Sequence, residues 1–513
     1  MSEKPYSVVG YDFDRLVALL AEHSDPKYVL SKTHSVYFEG YFRELNAKTI
    51  VVEEKYVDHD YLEDFAAYYV RCFHRYPRQT RRLHFFAVEF DHKAFAAVLR
   101  GENADLPISL RDRYLGFVVV KPLPQTLVGR TCLKTYPPDG GRRQFPILQE
   151  YTANLFGLAL SVKTLAFQEQ DSVVSACATS ALWSVFQGTG QIFHHWLPSP
   201  AEITRNAVDH IPEELHPYSL PETRGMPNKG LTASQMARAI RAVGLESYLL
   251  GASNPSELRA TAYAYLRARI PMILVFSLKD VTQKETERAI GRHGVAITGF
   301  SLAPEAPPSL PKGQFNLKAY RIDKLYVHDD QVGPFARMVF QESGRLNTSW
   351  CIRQGKTVEA EAQFLLIPIY HKIRIPYASI QQAIRTIGSI IDNLLANVAP
   401  QADYSIEWDI FLTTVNTLKA ELLATPGVKP EVREAFLSRS LPKYLWRATV
   451  SLNDAAEADL LFDATDIEQR GGFLGAVEYR PNIVGLLRLL ATAPVAQTVG
   501  GIAGCILAHF GTA

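Results

Sequence analysis

Three short segments carry residue types that together could run acyl chemistry on a thiol. The first, Gln170-Asp171-Ser172-Val173-Val174-Ser175-Ala176-Cys177-Ala178-Thr179-Ser180-Ala181-Leu182-Trp183, sets Cys177 among small residues at what reads as a helix start. A thiol attacks only as thiolate, and a helix N-terminus with an imidazole nearby favours that form. The second, Arg292-His293-Gly294-Val295-Ala296-Ile297-Thr298-Gly299-Phe300, offers a base at the head of an apolar strand. The third, Leu325-Tyr326-Val327-His328-Asp329-Asp330, ends an apolar run in two acids. Singly, each has a plainer reading. A cysteine among alanines packs as a small hydrophobe, a histidine before a strand caps or packs, and an aspartate after one turns the chain. Taken together and in this order, they read as nucleophile, base and orienting acid.

The elements that must position them are legible to different degrees. The Cys177 helix is expected to run to about Gln187 and to stop at Gly188-Thr189-Gly190. A further helix is marked by Leu231 to Met236, where Thr232 and Gln235 have capping-box spacing and Leu231 and Met236 that of a hydrophobic staple. It should end near Gly244. Pro271 to Phe276, Gly294 to Phe300 and Lys324 to His328 each read as a strand, with a Pro-rich surface loop at 303–312.

Before this middle segment, Asp12 to Leu20 reads as a short amphipathic helix. Strands are expected at Thr49–Val52, Leu83–Val88 and Phe117–Val120, with helix at Tyr61–Phe73 between them. After it, helices are expected at Ser379–Val398, from Ile406 and from Pro430, with a strand at Leu460–Asp466. Asp463 and Asp466 read as turn and cap residues rather than as metal ligands. The expected organisation is an α+β chain. It has an N-terminal α/β domain over residues 1–160, a central domain over 161–370 holding the nucleophile helix and an antiparallel sheet, and a mostly helical region over 371–513.

The length of 513 residues suits about three domains of roughly 150 residues. A hydrophobic fraction of 47% and a charged fraction of 21% supply ordinary globular cores. The net charge of +1 provides no global field for nucleic acid or anionic membrane. Basic and aromatic residues do interleave from Arg71 to Arg82, but Glu53, Glu54, Asp58, Asp60, Glu63 and Asp64 precede them, so an intramolecular ion-pair surface is expected. The five scattered cysteines, Cys72, Cys132, Cys177, Cys351 and Cys505, suggest neither a disulfide framework nor a zinc site and fit a reducing, cytoplasmic setting. The start lacks the apolar run of a signal peptide. Leu489 to Phe510 is apolar enough to raise a membrane span, but Thr492, Pro494, Gln497, Thr498 and three glycines dilute it, and a buried helix pair broken at Gly500-Gly501 is expected. His194-His195 would be a metal pair only if carboxylates gathered there.

The middle segment resembles the papain-like cysteine peptidases, in particular the bacterial branch that includes the double-glycine leader peptidases of bacteriocin transporters. The resemblance rests on the glutamine before Cys177, the His-Gly-Val-Ala-Ile-Thr-Gly-Phe strand from His293, and the strand ending in Asp329. The helix from Leu231 to Leu245 is a weaker fourth block. The flanking segments match no family. The resemblance implies Cys177 as nucleophile, His293 as base, Asp329 as orienting acid, and Gln170 as the side-chain donor to the oxyanion together with the Cys177 backbone N–H. Strand alternation favours Asp329 over Asp330, because Leu325, Val327 and Asp329 share one face. Gln170 lies seven residues before the cysteine where the family has six, a difference that a bulge would absorb, and Gln168 is the substitute donor. Ala178 stands where the family commonly has glycine.

The expected function is a cysteine-dependent acyl-transfer hydrolase, foremost a peptidase, that acts on a peptide or protein and needs neither organic cofactor nor metal. Deamidation or transamidation would use the same triad. The rivals are a catalytically silent papain-like scaffold that binds a partner, and a nucleic-acid contact through the basic N-terminal stretch.

Overall fold

β-Branched and aromatic runs build antiparallel sheets in this computed structural model, which describes residues 5–103, 105–171, 173–174, 176–208, 230–282, 288–304, 315–352, 358–398, 404–468 and 472–512. The chain groups into two compact units. The first comprises Met1–Pro255, Pro271–Ser301 and Lys324–Pro368, and the second Ser256–Ile270, Leu302–Asp323 and Ile369–Ala513.

In the first unit, β1 (Tyr6–Gly10), β2 (Thr49–Tyr56), β3 (Thr80–Phe86), β4 (Tyr114–Val120) and β5 (Val128–Leu133) form a sheet in sequence order. All its pairings are antiparallel, so this segment is α+β in type and not the α/β arrangement expected of it. The strands expected near residues 49, 83 and 117 are all present. β4 is buried along its whole length, and its Gly116 adopts φ +110° where a Cβ would come within 1.9 Å of the Cys132 carbonyl oxygen. Asp12 caps the Phe13–Leu20 helix by accepting from the Arg15 N–H at 2.8 Å. The basic stretch pairs internally as expected, with Arg81 bridging Glu22 and Glu54 and Arg82 bonded to Glu53.

β6 (Arg143–Gln144) joins the edge of the next sheet, and β7 (Gln149–Leu155) with β8 (Leu158–Thr164) forms a hairpin. The larger sheet holds β9 (Glu246–Gly251), β10 (Met272–Asp280), β11 (Arg288–Leu302), β12 (Ile322–Asp329), β13 (Gly333–Phe340), β14 (Leu346–Asn347) and β15 (Val358–Ile369). Because β10 pairs with both β11 and β15, the run from β10 to β15 closes on itself. The Cys177–Phe193 helix packs between the sheets. Its Leu182, Trp183 and Phe186 share one core with Phe117, Val119 and Cys132 on one side and with Ile273, Val275 and Leu366 on the other.

That helix does not stop at Gly188. Both glycines lie inside it, where a Cβ on Gly188 would sit 2.9 Å from Pro271 Cγ and one on Gly190 would sit 2.5 Å from Leu197 Cδ2. They are there for close packing, and the helix ends instead on His194 in the left-handed conformation. The second helix is as expected. It runs Ala233–Ala242 from a reciprocal Thr232–Gln235 box, with Gly244 at φ +84° beyond it.

The second unit carries an antiparallel sheet of β16 (Ile406–Thr414), β17 (Tyr444–Leu452), β18 (Ala455–Asp463) and β19 (Phe473–Glu478). The helix expected from Ile406 is therefore a correction. Trp408, Ile410 and Leu412 are buried, while Glu407 and Asp409 between them are less so, which is the two-residue period of a strand; helix begins only at Val415. The region is thus not simply helical, although Tyr377–Val398 and Pro430–Ser438 are helices as expected. Asp463 and Asp466 accept backbone N–H groups of Thr465 and Glu468, as turn residues do. Leu489 to Phe510 falls on two helices, Pro481–Thr492 and Gly501–Thr512, and no helix among the described residues is long and apolar enough to cross a membrane. The Pro-rich loop lies mostly outside the described residues.

Candidate active site

Cys177 opens its helix after Ala176, whose backbone is extended and whose side chain cannot cap. The Ala176 N–H is taken by Thr179 Oγ1 at 3.2 Å, and among the described residues no side chain caps the first turn, whose N–H groups can meet an anion. β11 brings His293 to this helix end. The next residue, Gly294, lies beside the helix start, where a Cβ would make an ordinary contact of 3.9 Å with Ala178 Cα.

The His293 ring is hydrogen-bonded through Nε2 to Asp329 Oδ1 at 2.9 Å and lines one cavity with Cys177. With Nε2 facing the acid, Nδ1 is the nitrogen left for the thiol. Both His293 and Asp329 are buried, whereas Cys177 is half-exposed. Burial opposes charge on His293. The Asp329 carboxylate and its hydrogen bond, the Cys177 side chain and Asp330 outweigh it and hold the ring well above the usual histidine range. Burial likewise opposes charge on Asp329, but His293, the Gln331 N–H and the Trp350 indole keep it below the usual carboxylate range.

Asp330 does not turn away as strand alternation suggested. Its Oδ1 lies 3.6 Å from His293 Nε2, because the β12–β13 register shifts between Val327 and Asp329 and the strand ends there. Burial pushes its carboxyl up to about 6, against the pull of His293 and with the push of Asp329.

Gln170 is half-buried, and its Oε1 accepts from Gln331 Nε2 at 3.5 Å, which turns its own NH2 the other way. Gln331 Nε2 also donates to Asp330 Oδ2 at 3.0 Å, and its backbone N–H donates to Asp329 Oδ1 at 3.0 Å. One residue thus ties Gln170 to the acid-bearing turn. Gln168 is buried, and its Oε1 lacks a hydrogen-bond partner.

Three contributors went unseen in the sequence. Trp350 stacks at a tilt on His293, centroids 5.1 Å apart, and its Nε1 donates to Asp329 Oδ2 at 3.1 Å. Glu169 and Asp171 hold Gln170 from both sides. Glu169 Oε2 accepts the N–H groups of Leu127 and Val128 at 2.8 and 2.9 Å, and Oε1 pairs with Lys32. Asp171 Oδ1 accepts the Val173 N–H at 2.9 Å, and its carboxylate accepts the Tyr69 hydroxyl. An acid on each side of Gln170 was a readable signal for a pinned backbone; Trp350 sits in no motif and had none.

His293, Asp329 and Asp330 are also the one group among the described residues that could hold a metal, with ligand atoms within 4.8 Å of one another. N–H donors from His293, Gln331 and Trp350 already occupy Asp329, so a cation would have to displace them. His195 bonds Thr189 Oγ1 and the Trp196 carbonyl oxygen. Comparison with protein-family models and with curated protein sequences finds no match to this chain.

Proposed function

We propose that this chain is a papain-like cysteine hydrolase that cleaves an amide bond in a peptide or protein by acyl transfer to Cys177. The observation that carries the reading is the His293 ring bonded to Asp329 and sharing one cavity with Cys177, the first residue of its helix. His293 takes the thiol proton, and the sulfur attacks the carbonyl carbon. The resulting oxyanion is met by the Cys177 N–H and the Gln170 amide. The imidazolium returns its proton to the leaving amine, the C–N bond breaks, and a thioester remains. A water that His293 deprotonates then attacks the thioester, releasing the acid and restoring the thiol. Asp329 holds the ring in the required tautomer throughout, and Trp350 covers their bond.

The test is turnover of a diverse peptide pool, read by mass spectrometry as new termini. Cleavage by the wild type that vanishes in both Cys177→Ala and His293→Ala supports the reading. Undiminished cleavage in either variant, or no cleavage by any of the three, contradicts it. Conversion of glutamine to glutamate in the pool without new termini would point to the deamidase alternative.

A further inference from the structure

Cys177 and His293 open onto a cavity of about 620 Å³, within the size range of sites that bury a ligand. Its wall is mainly apolar, with Ala178, Leu231, Met236, Val275 and Phe364 drawn from the two helix starts, β10 and β15, beside the polar Thr232 and Gln235. Among the described residues no aspartate or glutamate lines it. Its charged lining consists of His293 and Arg292, which precedes the histidine on β11 and is exposed. Among the described residues no carboxylate pairs with Arg292, whereas Arg81, Arg82, Arg130 and Arg143 of the same unit are each bonded to an acid. A guanidinium with no acid partner among the described residues, beside a mainly apolar wall, suits a ligand that has a bulky apolar group and a carboxylate side by side.

From this cavity we infer that Arg292 is a specificity-determining residue, and that the preferred substrate is a peptide with a carboxylate next to a bulky apolar side chain at the scissile bond. The inference rests on Cys177 being the nucleophile. The apolar side chain seats against Leu231, Met236, Val275 and Phe364, and the carboxylate pairs with Arg292. Basic residues at the same position meet like charge and are rejected. The carboxylate belongs either to an internal acidic side chain or to the chain terminus, and the test separates the two.

The experiment compares kcat/KM on matched peptides that carry Leu or Phe beside Glu, Gln or Lys. Each is made with a free and an amidated C-terminus, and each is run with wild type, Arg292→Glu and Cys177→Ala. The wild type should favour the carboxylate, either as Glu over Gln or as a free over an amidated terminus, by about 10- to 100-fold, the span of a charge-assisted hydrogen bond. Arg292→Glu should reverse the order so that Lys exceeds Glu, and added salt should shrink both preferences. A Glu-over-Gln preference that survives amidation assigns the carboxylate to the side chain; equal rates on Glu and Gln with a loss on amidation assign it to the terminus. If Cys177→Ala abolishes cleavage but the wild type shows neither preference, or the preference is unmoved in Arg292→Glu, the inference fails and the cysteine-hydrolase reading stands. Cleavage that persists in Cys177→Ala overturns both.

Discussion

The Trp350 indole donates to Oδ2 of Asp329 at 3.1 Å, the carboxylate oxygen opposite the one that His293 engages at 2.9 Å. The acid is thereby held in one orientation, and the ring it orients is covered by the same tryptophan. Trp350→Phe keeps the cover and removes the bond. We expect kcat to fall by about 10-fold or more, towards the roughly 10²-fold that misplacement of a catalytic group by about 1 Å costs, with little change in KM. Steady-state kinetics checks this; an unchanged kcat would leave the indole N–H without a role in orienting Asp329.

The two adjacent acids should separate by phenotype. Asp329→Ala should lower kcat by about 10⁴-fold, because an unoriented imidazole is a poor base. Asp330→Asn should mainly alter stability. The Asp330 carboxyl is raised in the fold from 3.8 to about 6 by burial, so the folded state binds its proton more tightly than the unfolded state. Its contribution to stability is full below about pH 4 and lost as pH rises through about 6, by up to about 3 kcal/mol. Asp330→Asn should therefore match the wild type at pH 4 and exceed it at pH 7 in denaturant midpoint. A variant less stable than the wild type at pH 7 would mean that the ionised Asp330 is worth more to His293 than its burial costs.

Thiol reactivity should rank the cysteines. Cys177 is half-exposed on a cavity it shares with His293, whereas Cys132 is fully buried, and burial pushes its thiol up to about 12. Iodoacetamide near neutral pH should modify Cys177 while Cys132 stays intact, as peptide mapping over time would show. Early modification of Cys132 would contradict the burial described here.

Gln170→Ala should lower kcat by about 10²- to 10³-fold, the usual cost of one oxyanion donor, while iodoacetamide labelling of Cys177 persists. Full turnover in Gln170→Ala together with loss in Gln168→Ala would move the donor by two residues.

Chelation separates the thiol reading from the cation that His293, Asp329 and Asp330 could hold. Turnover should survive EDTA and be lost to iodoacetamide. Loss on chelation, restored by a divalent cation, would put a metal on those three residues.

What the sequence made legible follows from how local each cause is. The Thr232–Gln235 box is a contact between residues three apart, so spacing alone revealed it. His293 and Asp329 were readable because each adjoins an apolar strand, and strands announce themselves by composition. Gly188 and Gly190 misled because a glycine that admits Pro271 or Leu197 looks the same in sequence as one that ends a helix. Ile406 to Thr414 carried a strand's alternation at Glu407 to Ile410 that was there to be read. Asp330 escaped because alternation lapses where a register shifts. Trp350 escaped because only the folding of a distant loop brings it over His293.

The most direct measurement of the central claim is intact-protein mass spectrometry after exposure to a peptidyl acyloxymethyl ketone, which a thiolate converts to a thioether with loss of the carboxylate. The account predicts one adduct per chain, mapped to Cys177, formed by the wild type and lost in folded His293→Ala. Equal labelling of His293→Ala, or an adduct on another cysteine, would contradict it.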